Sequence, residues 1–557
     1  MTLQSPQDKR GASTEDVIGP VDGPIKAQEE KGIEDVPEAE DAAEAEEVEE
    51  ATPIELFYDL FFVANLTTVT SVHYITESKT LSSYILYFII LWFTWLHVTL
   101  LDVRFSVDSV YERVCKALHF AVMGAFASVS TTWDPFSPDD DITITALRTM
   151  TLTLMFSRVI LSIQYFVVMY FGRSKPRTNL PLAIHGSVMI ISASVYLGIY
   201  FSFRHGHTEK YYLSWYIMAA FEVISVITTS SIWGCVSFKR THLIERMGLL
   251  TLIILGEGII VMLKAINTIV KGFGWTWTTL GVVSSSIALI YLYWMFYFDF
   301  NPMKIYYGRF RQQLWTLLHF PFHLAIVLSV EGLRQLATLR NYELMADDMM
   351  GKFTGPTRPN NRTQMIDQFN NAFALFYNDD YAKTVLKEWP IVTNWTNELE
   401  TFMYDSVLQD GDREFMEAYN DLYNALVAKL AYYLSEFYGF KFPYREPEDS
   451  GDRFSGFRQL FDLVFKYFFL SLGVIFIMYG LFAILVRRRL DIYDWICVGL
   501  RFTPAVAFFA MSEVSSTSTL YSSGGGSWPI PQVCVLIFIV LLSDKATQWF
   551  GLWRSGR

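Results

Sequence analysis

The chain has 557 residues, of which 52% are hydrophobic and only 18% are charged. Soluble proteins carry about a quarter charged residues, so this composition excludes an ordinary soluble domain and indicates a membrane protein. The net charge of −13 is uneven, because residues 1–53 carry 16 acidic and 4 basic side chains and residues 341–453 carry 20 and 10. The rest of the chain is basic, but it contains no aromatic-interleaved soluble segment that would predict a nucleic-acid partner.

The N-terminal segment, residues 1–53, has low complexity and contains the acidic run "EDVPEAEDAAEAEEVEE". With almost no bulky apolar side chains it cannot bury enough surface to fold, so we predict a disordered acidic tail. A solubilising role is the simplest interpretation of this tail, and a regulatory role is the alternative.

Apolar runs of about 20 residues, the length that crosses a bilayer as a helix, recur along the remaining chain. We predict twelve spans, at residues 54–75, 81–101, 114–132, 144–171, 180–203, 211–237, 246–269, 277–299, 312–333, 461–486, 492–512 and 530–550. The predicted fold is all-α, a polytopic transmembrane helix bundle with spans 1–9 in residues 54–333 and spans 10–12 in residues 461–550. Residues 334–460 are predicted to form a small helical insertion outside the membrane, and residues 551–557 a short tail.

The connections between the predicted spans alternate in charge. The second, fourth, sixth, eighth and tenth are basic ("DVRFSVDSVYERVCK", "GRSKPR", "FKRTHLIER", "NPMKIYYGRFR" and "RRRLD"), whereas the third, "WDPFSPDDD", is acidic. Because Lys and Arg accumulate in cytoplasmic loops, the even-numbered connections and both termini are predicted to be cytoplasmic.

The same count places the insertion, residues 334–460, on the extracytoplasmic side. Two glycosylation sequons agree with this placement, "NRT" at Asn361 and "NWT" at Asn394. Its segment "GDREFMEAYNDLYNALVAKLAYYLSEFYGF" spaces apolar residues as a helix does. We therefore predict a glycoprotein of the plasma membrane or of a secretory-pathway membrane.

The first predicted span, "IELFYDLFFVANLTTVTSVHYI", carries two carboxylates in its opening turns. On a helix that turns about 100° per residue, Asp59 lies about 40° from Glu55 and about 20° from Thr70, and Thr67 falls on the same half. An ionised carboxylate that faces lipid costs at least about 2.5–3.5 kcal/mol. The stripe therefore predicts a helix that faces a polar interior shared with other spans.

Ionisable side chains also interrupt the later spans, and we predict that they line the same interior as a polar path. With Glu55 and Asp59, the path consists of His97, Arg158, Glu222, His242, Glu245, Arg246, Glu257, His319 and His323. Gly256 and Gly258, on either side of Glu257, predict a close crossing of two helices. The alternative interpretations are structural: charges at span ends, namely Glu55, Asp102, Arg104 and Asp299, anchor the helix at the interface, and a deep pair such as Arg158 and Glu222 holds helices in register.

His319 and His323 share a helix face one turn apart, around Pro321. The pair could ligate a metal, but the sequence offers no third ligand nearby and lacks the zinc-hydrolase pattern H-E-x-x-H. A proton relay or gate is the other interpretation, because histidine titrates near neutral pH. No phosphate-binding loop, nucleophile elbow or dinucleotide fingerprint is present, so no cofactor and no enzyme activity are predicted.

Two stretches carry a family resemblance: "IELFYDLFFVANLT" in the first span and "RTHLIERMGLLTLIILGEGIIVM" in the seventh. They resemble the low temperature requirement A (LtrA) family, whose members open with E-L-F-x-D-L-x-F-V and later carry a basic-H-L-x-E-R-x-G-L stretch that leads to G-E. The resemblance covers residues 54–335 well and 460–550 loosely, and the insertion and acidic tail look like a eukaryotic, fungal-type elaboration. It implies functional importance, without assigned roles, for the motif positions Glu55, Asp59, His242, Glu245, Arg246, Gly256 and Glu257.

The predicted function is a membrane transporter or channel that moves a proton or a small ion along the polar path. Transport coupled to protons is one form of this prediction. The first alternative is a structural or cold-adaptation membrane protein that transports nothing. The second is a metal-dependent enzyme within the membrane that acts on lipid through His319 and His323. The lipid bilayer is the one partner that the sequence predicts, and no oligomeric state can be derived from it.

Overall fold

A computed structural model of the protein describes residues 51–72, 74–136, 141–173, 176–203, 210–236, 238, 241–299, 309–353, 364, 367, 371, 434–440, 455–486, 490–513 and 529–555. All but the last three residues of the predicted acidic tail lie outside the described residues. So do most of the predicted insertion and both sequons, at Asn361 and Asn394.

The described residues form twelve long α-helices and a 3-10 turn at Gly234–Val236, and they contain no β-strand. The helices are α1 Pro53–Val72, α2 Ser78–Phe105, α3 Val110–Ser130, α4 Asp141–Phe171, α5 Pro176–Ser202, α6 Leu213–Ile232, α7 Leu243–Phe273, α8 Trp277–Phe298, α9 Arg309–Phe353, α10 Ser455–Val486, α11 Ile492–Glu513 and α12 Pro529–Ser555. Each predicted span lies on one of these helices, so the prediction of an all-α helix bundle is confirmed.

Ten of the twelve helices are long and apolar enough to cross a membrane, namely all except α1 and α3. These two helices carry many polar side chains: Glu55 and Asp59 on α1, and Glu112, Lys116 and His119 on α3. All five side chains are buried. α1 and α3 therefore turn these five side chains towards neighbouring helices and not towards lipid.

The order of packing brings the polar faces together. α1 lies between α3 and α7 and also contacts α2. α4 packs along α5, α9 packs along both α7 and α10, and α11 packs against α10 and α12. Large aromatic side chains fill the interior, among them the buried Trp92, Trp95, Trp133 and Trp215. The meeting of α1, α2, α3 and α7 positions the candidate site.

α9 is longer than the predicted ninth span, because it continues past residue 333 to Phe353. This continuation keeps an apolar face, with Leu339 and Tyr342 buried and Tyr342 stacked on Phe457 of α10. Charged side chains in this continuation lower its mean hydropathy. For that reason the span predicted from the sequence ended at residue 333. The first part of the predicted insertion is therefore the end of a spanning helix.

The two glycines of α7 have different surroundings. A Cβ atom at Gly258 would lie 3.1 Å from Cγ1 of Val330 on α9, so this glycine permits close approach of the two helices. A Cβ atom at Gly256 would meet nothing within 4 Å. The close crossing predicted from the glycine pair is found at Gly258 and is not found at Gly256, because Gly256 faces open space.

Candidate functional site

Asp59 is the meeting point of three helices. Its Oδ1 atom accepts hydrogen bonds from the indole Nε1 of Trp95 on α2, at 2.7 Å, and from Nη2 of Arg246 on α7, at 2.8 Å. Asp59 and Arg246 are both fully buried. The carboxylate predicted to face a polar interior does so, and Arg246 supplies its countercharge.

One turn before Asp59, Glu55 makes a second link between α1 and α7. Its Oε1 atom lies 3.3 Å from Nε2 of His242, and its Oε2 atom accepts from the backbone N–H of Thr52 at 2.9 Å. Both contacts lie at the beginnings of α1 and α7, so the two helices start at the same end of the bundle. Glu55, Asp59, Trp95, His242 and Arg246 are called the Asp59 cluster below.

A second group of buried polar residues at this end was not predicted as part of the path. Asp102 at the end of α2 forms an ion pair with Lys116 of α3. Glu112 of α3 accepts a hydrogen bond from Gln164 of α4 at 3.0 Å, and Gln164 Oε1 lies 2.8 Å from Nε2 of His119. The spacing of Glu112, Lys116 and His119, at i, i+4 and i+7, marks one helix face and was the sequence signal for this group.

Several atoms of these groups have no hydrogen-bond partner within the described chain: Nε and Nη1 of Arg246, Oδ2 of Asp59, Oδ1 of Asp102 and the hydroxyl of Tyr58. Buried polar atoms in proteins are nearly always paired, because an unpaired one loses its hydration without compensation. Unpaired guanidinium donors beside unpaired carboxylate acceptors are the groups through which water or a small ion binds. The Asp59 cluster therefore has unused capacity to bind a polar species.

The pair predicted from Arg158 and Glu222 also exists. Arg158 of α4 donates to Glu222 of α6 through Nε, at 3.1 Å, and through Nη2, at 3.0 Å. Its Nη1 atom donates to Thr94 of α2 at 3.1 Å. His97 of α2 lies with Nε2 3.1 Å from Glu222 Oε2, so one buried ion pair ties α2, α4 and α6 together.

His323 connects to the Asp59 cluster through two tryptophans of α2. Its Nδ1 atom accepts from the indole of Trp92 at 3.1 Å, and its Nε2 atom lies 2.8 Å from the Thr251 hydroxyl. Since Nδ1 is an acceptor, the proton is on Nε2 and the ring is neutral. The ring centroids of Trp92 and Trp95 are 6.2 Å apart, and Trp95 binds Asp59, so an aromatic contact joins His323 to the Asp59 cluster.

Both ring nitrogens of His319 also form hydrogen bonds. Its Nδ1 atom lies 2.8 Å from the carbonyl oxygen of Trp315, and its Nε2 atom lies 2.8 Å from the hydroxyl of Tyr297. The carbonyl requires the proton on Nδ1, so Nε2 accepts from Tyr297. All four ring nitrogens of His319 and His323 are thus used by neutral imidazoles. To ligate a metal, either ring would first have to give up one of these hydrogen bonds.

The remaining predicted residues lie apart from these contacts. Glu257, on the middle of α7, is 6% exposed, and neither of its carboxyl oxygens has a hydrogen-bond donor in the described structure. Glu245 is half-buried on the first turn of α7 and forms no ion pair with a described residue. Asp102, predicted as an interface anchor, is buried. Arg104, predicted to have the same role, is half-buried and donates to the carbonyl oxygen of Val236 at 3.0 Å.

One buried ion pair was missed altogether. Arg501 of α11 donates to Oδ2 of Asp544 on α12 at 2.8 Å and to the carbonyl oxygen of Tyr479 on α10 at 3.1 Å. A lone charged residue within an apolar run, the signal that identified Arg158, also marks Arg501. The pair holds the last three helices together.

Comparison with known proteins places most of these residues in a single matched region. The family model described as "Bacterial low temperature requirement A protein (LtrA)" matches residues 50–353, which include α1 to α9 and the Asp59 cluster but exclude Arg501 and Asp544. No curated protein and no solved structure matches the chain. The chain belongs to the low temperature requirement A (LtrA) family, and its apolar helices make it an integral membrane protein.

Proposed function

We propose that this protein is a membrane transporter or channel for protons or small ions, and that the Asp59 cluster is part of its path. The observation that carries the proposal is the set of unpaired polar atoms around the Asp59–Arg246 ion pair. An ion pair that served only to fasten helices would be expected to have its donors and acceptors satisfied by protein. Unpaired atoms on both partners support a place where water or an ion enters.

The order of the polar groups along the helices adds support. Glu55 and His242 lie at the beginnings of α1 and α7, and Asp59 and Arg246 lie one turn further in. Trp95 binds Asp59, Trp92 binds His323, and the two indole rings are in contact. Intramembrane carboxylates at helix interfaces are frequent proton and cation sites in transporters. This arrangement therefore favours transport over enzyme activity, and we propose that the protein is not an enzyme.

The test is flux through the purified protein in liposomes. Proton flux and alkali-cation flux are measured for the unchanged protein and for Asp59→Asn, which keeps the shape of the side chain but removes its charge. Loss of flux is expected, because Arg246 would keep its charge without the carboxylate that now balances it. Asp544→Asn is the matched control, since it also leaves a buried arginine without its carboxylate but lies outside the proposed path.

The comparison is made at equal amounts of folded, incorporated protein. Equal flux for Asp59→Asn and the unchanged protein would remove Asp59 from the path. If Asp59→Asn and Asp544→Asn lose the same fraction of the flux, the loss in both variants is attributed to damaged helix packing. No protein-dependent flux of any proton or ion would overturn the proposal.

A structural, non-transporting role in growth at low temperature is the second candidate function. It is favoured by the pairing of the buried arginines Arg158, Arg246 and Arg501 with carboxylates on other helices, because such pairs hold helices in register. This candidate predicts that Asp59→Asn and Glu257→Gln, if stably produced, still restore growth to a deletion strain in the cold. The third candidate, a metal-dependent lipid enzyme, has less support because His319 and His323 are engaged in hydrogen bonds.

The proposed orientation places both termini in the cytoplasm and residues 354–454, which follow α9, on the outside. It rests on the basic even-numbered connections and on the two sequons at Asn361 and Asn394. We place the protein in the plasma membrane or a secretory-pathway membrane and regard the acidic tail and the insertion as fungal-type additions to the LtrA bundle.

A further inference from the structure

Glu257 differs from every other buried carboxylate in the described structure. The others each have a donor or a countercharge: Glu55 has His242, Asp59 has Arg246, Asp102 has Lys116, Glu112 has Gln164, Glu222 has Arg158, Glu331 has Arg334 and Asp544 has Arg501. Glu257 is 6% exposed, and both of its carboxyl oxygens lack a hydrogen-bond partner among the described residues.

Glu257 lies on the same side of α7 as the Asp59 cluster, but deeper. It follows Arg246 by eleven residues, which places it about 16 Å further along the helix and about 20° away around it. Across from it, on α1, is Thr67, eight residues beyond Asp59. Because α1 and α7 start at the same end, Glu257 and Thr67 continue the same interface towards the middle of the helices.

Thr67 is complementary to a neutral carboxylic acid at this position. Its hydroxyl already donates to the carbonyl oxygen of Val63 at 3.1 Å, so its oxygen is left as an acceptor. A protonated Glu257 can donate to that oxygen, whereas an ionised Glu257 would need a donor that Thr67 has already committed. An isolated buried carboxylate also lowers its free energy by taking up a proton, since no partner compensates its lost hydration.

The charged and titratable groups around Glu257 are a lysine that acts on it through its charge alone and groups that are bonded elsewhere. Lys264 is seven residues further along α7 and exposed. The Tyr84 hydroxyl of α2 is bonded to Thr70 at 3.1 Å. The Glu331–Arg334 pair of α9 is closed within its own helix. None of these groups forms an ion pair with Glu257 in the described part of the chain.

We propose that Glu257 is the group in this protein that binds and releases a proton, whereas Asp59 is fixed in place by Arg246 and Trp95. This assignment rests on the proposed function, because it names the proton as the transported or coupled ion. The site takes up one proton on a carboxylate oxygen and donates the resulting O–H to Thr67. Release requires that water or a cation reaches the carboxylate through the α1–α7 interface.

The first experiment tests protonation without measuring transport. Dicyclohexylcarbodiimide adds to a protonated carboxyl group in apolar surroundings and leaves a stable N-acylurea, whose position is found by peptide mass spectrometry. The full-length protein is expected to be labelled at Glu257 near neutral pH, with labelling lost as the pH is raised. Asp59 and Asp544 are expected to stay unlabelled, because each forms an ion pair with a buried arginine.

Two variants sharpen the result. Glu257→Gln is expected to abolish the labelling, and Glu245→Gln, the same substitution on the same helix at a half-buried position, is expected to leave it unchanged. The infrared carbonyl band of a protonated carboxylic acid is expected in the unchanged protein and is expected to be missing in Glu257→Gln. Absence of that band from the unchanged protein, or its persistence in Glu257→Gln, would overturn the assignment.

The outcomes separate this assignment from the proposed function. Labelled Glu257 in a protein that conducts nothing in liposomes would keep the protonation site and overturn transport. Flux that survives in Glu257→Gln, with unchanged pH dependence, would keep transport and remove Glu257 from it. Labelling that sodium or potassium suppresses at constant pH would overturn the assignment to a proton and assign the site to the cation.

Discussion

The carboxylates in the opening turns of α1 are explained residue by residue. Asp59 is balanced by Arg246 and bonded to Trp95, and Glu55 faces His242. The cost of placing these charges in a membrane is therefore offset by partners on other helices, and α1 turns its charged side chains towards the interior of the bundle. Glu257 has no such partner, so chemically similar side chains have different surroundings, and the proposed protonation of Glu257 rests on that difference.

At the residue scale we predict that Arg158→Met destabilises the protein strongly. It leaves Glu222 buried without its countercharge, and breaking a buried pair in this way costs about 3–5 kcal/mol. Adding Glu222→Leu is expected to restore most of the loss, since no charge then stays buried without a partner. The free energy of unfolding of the single and the double variant is measured by unfolding the purified proteins in denaturing detergent.

The matched control for this prediction is an exposed ion pair in the α2–α3 connection. Arg113 is bonded to Asp108 there and lowers the pKa of its carboxyl group. Because both side chains are open to water, Asp108→Asn is expected to leave the unfolding transition unchanged. A single variant Arg158→Met as stable as the unchanged protein would show that the buried pair does not fasten α4 to α6.

At the scale of elements, the bundle depends on a few close helix approaches. α7 and α9 approach at Gly258, and α9 and α10 approach at Gly332, where a Cβ atom would lie 3.0 Å from Cβ of Phe468. The Cβ of Phe468 is fixed to the backbone, so the helices would have to move apart to admit a side chain. Small residues serve this purpose in membrane bundles.

We predict that Gly332→Ala destabilises the protein by about 1–3 kcal/mol, the usual cost of an added methyl group in a packed interior. Gly499→Ala is the control, because a Cβ atom there meets nothing within 4 Å. The control is expected to be neutral or to stabilise by up to about 1 kcal/mol, because alanine favours helix more than glycine does. Both are measured by detergent unfolding, and equal behaviour of the two variants would contradict the close approach.

At the scale of the whole molecule, two groups of helices are joined. α1 to α9 lie within the residues matched by the LtrA family, and α10 to α12 follow them. The second group is held by Arg501 and Asp544 and attached through Tyr479, whose hydroxyl donates to the carbonyl oxygen of Tyr293 on α8 at 2.9 Å. The candidate site lies entirely in the first group.

The proposed orientation makes a prediction for the whole chain. If the segment between α9 and α10 faces the lumen or exterior, protein made in a eukaryotic host carries glycans at Asn361 and Asn394. Glycosidase treatment is expected to increase its electrophoretic mobility, and Asn361→Gln with Asn394→Gln to remove that shift. A shift that persists in the double variant would place the glycan elsewhere, and protein with no shift at all would contradict the orientation.

The sequence by itself determined the helices and their approximate ends. In lipid the backbone must satisfy its own hydrogen bonds, so an apolar run of about 20 residues has no other structure available. The sequence also marked Glu55, Asp59, Arg158 and Glu222 as charges that need an interior, because charge in an apolar run needs a partner wherever the helix is placed.

Only the tertiary structure decided which charges meet. Asp59 and Arg246 are 187 residues apart and Arg158 and Glu222 are 64 apart, and no local pattern encodes a pairing across such separations. The same packing buried Asp102 and Lys116, engaged both histidines of α9, and left Glu257 without a donor. Partners depend on which helix faces touch, and this is a property of the assembled bundle.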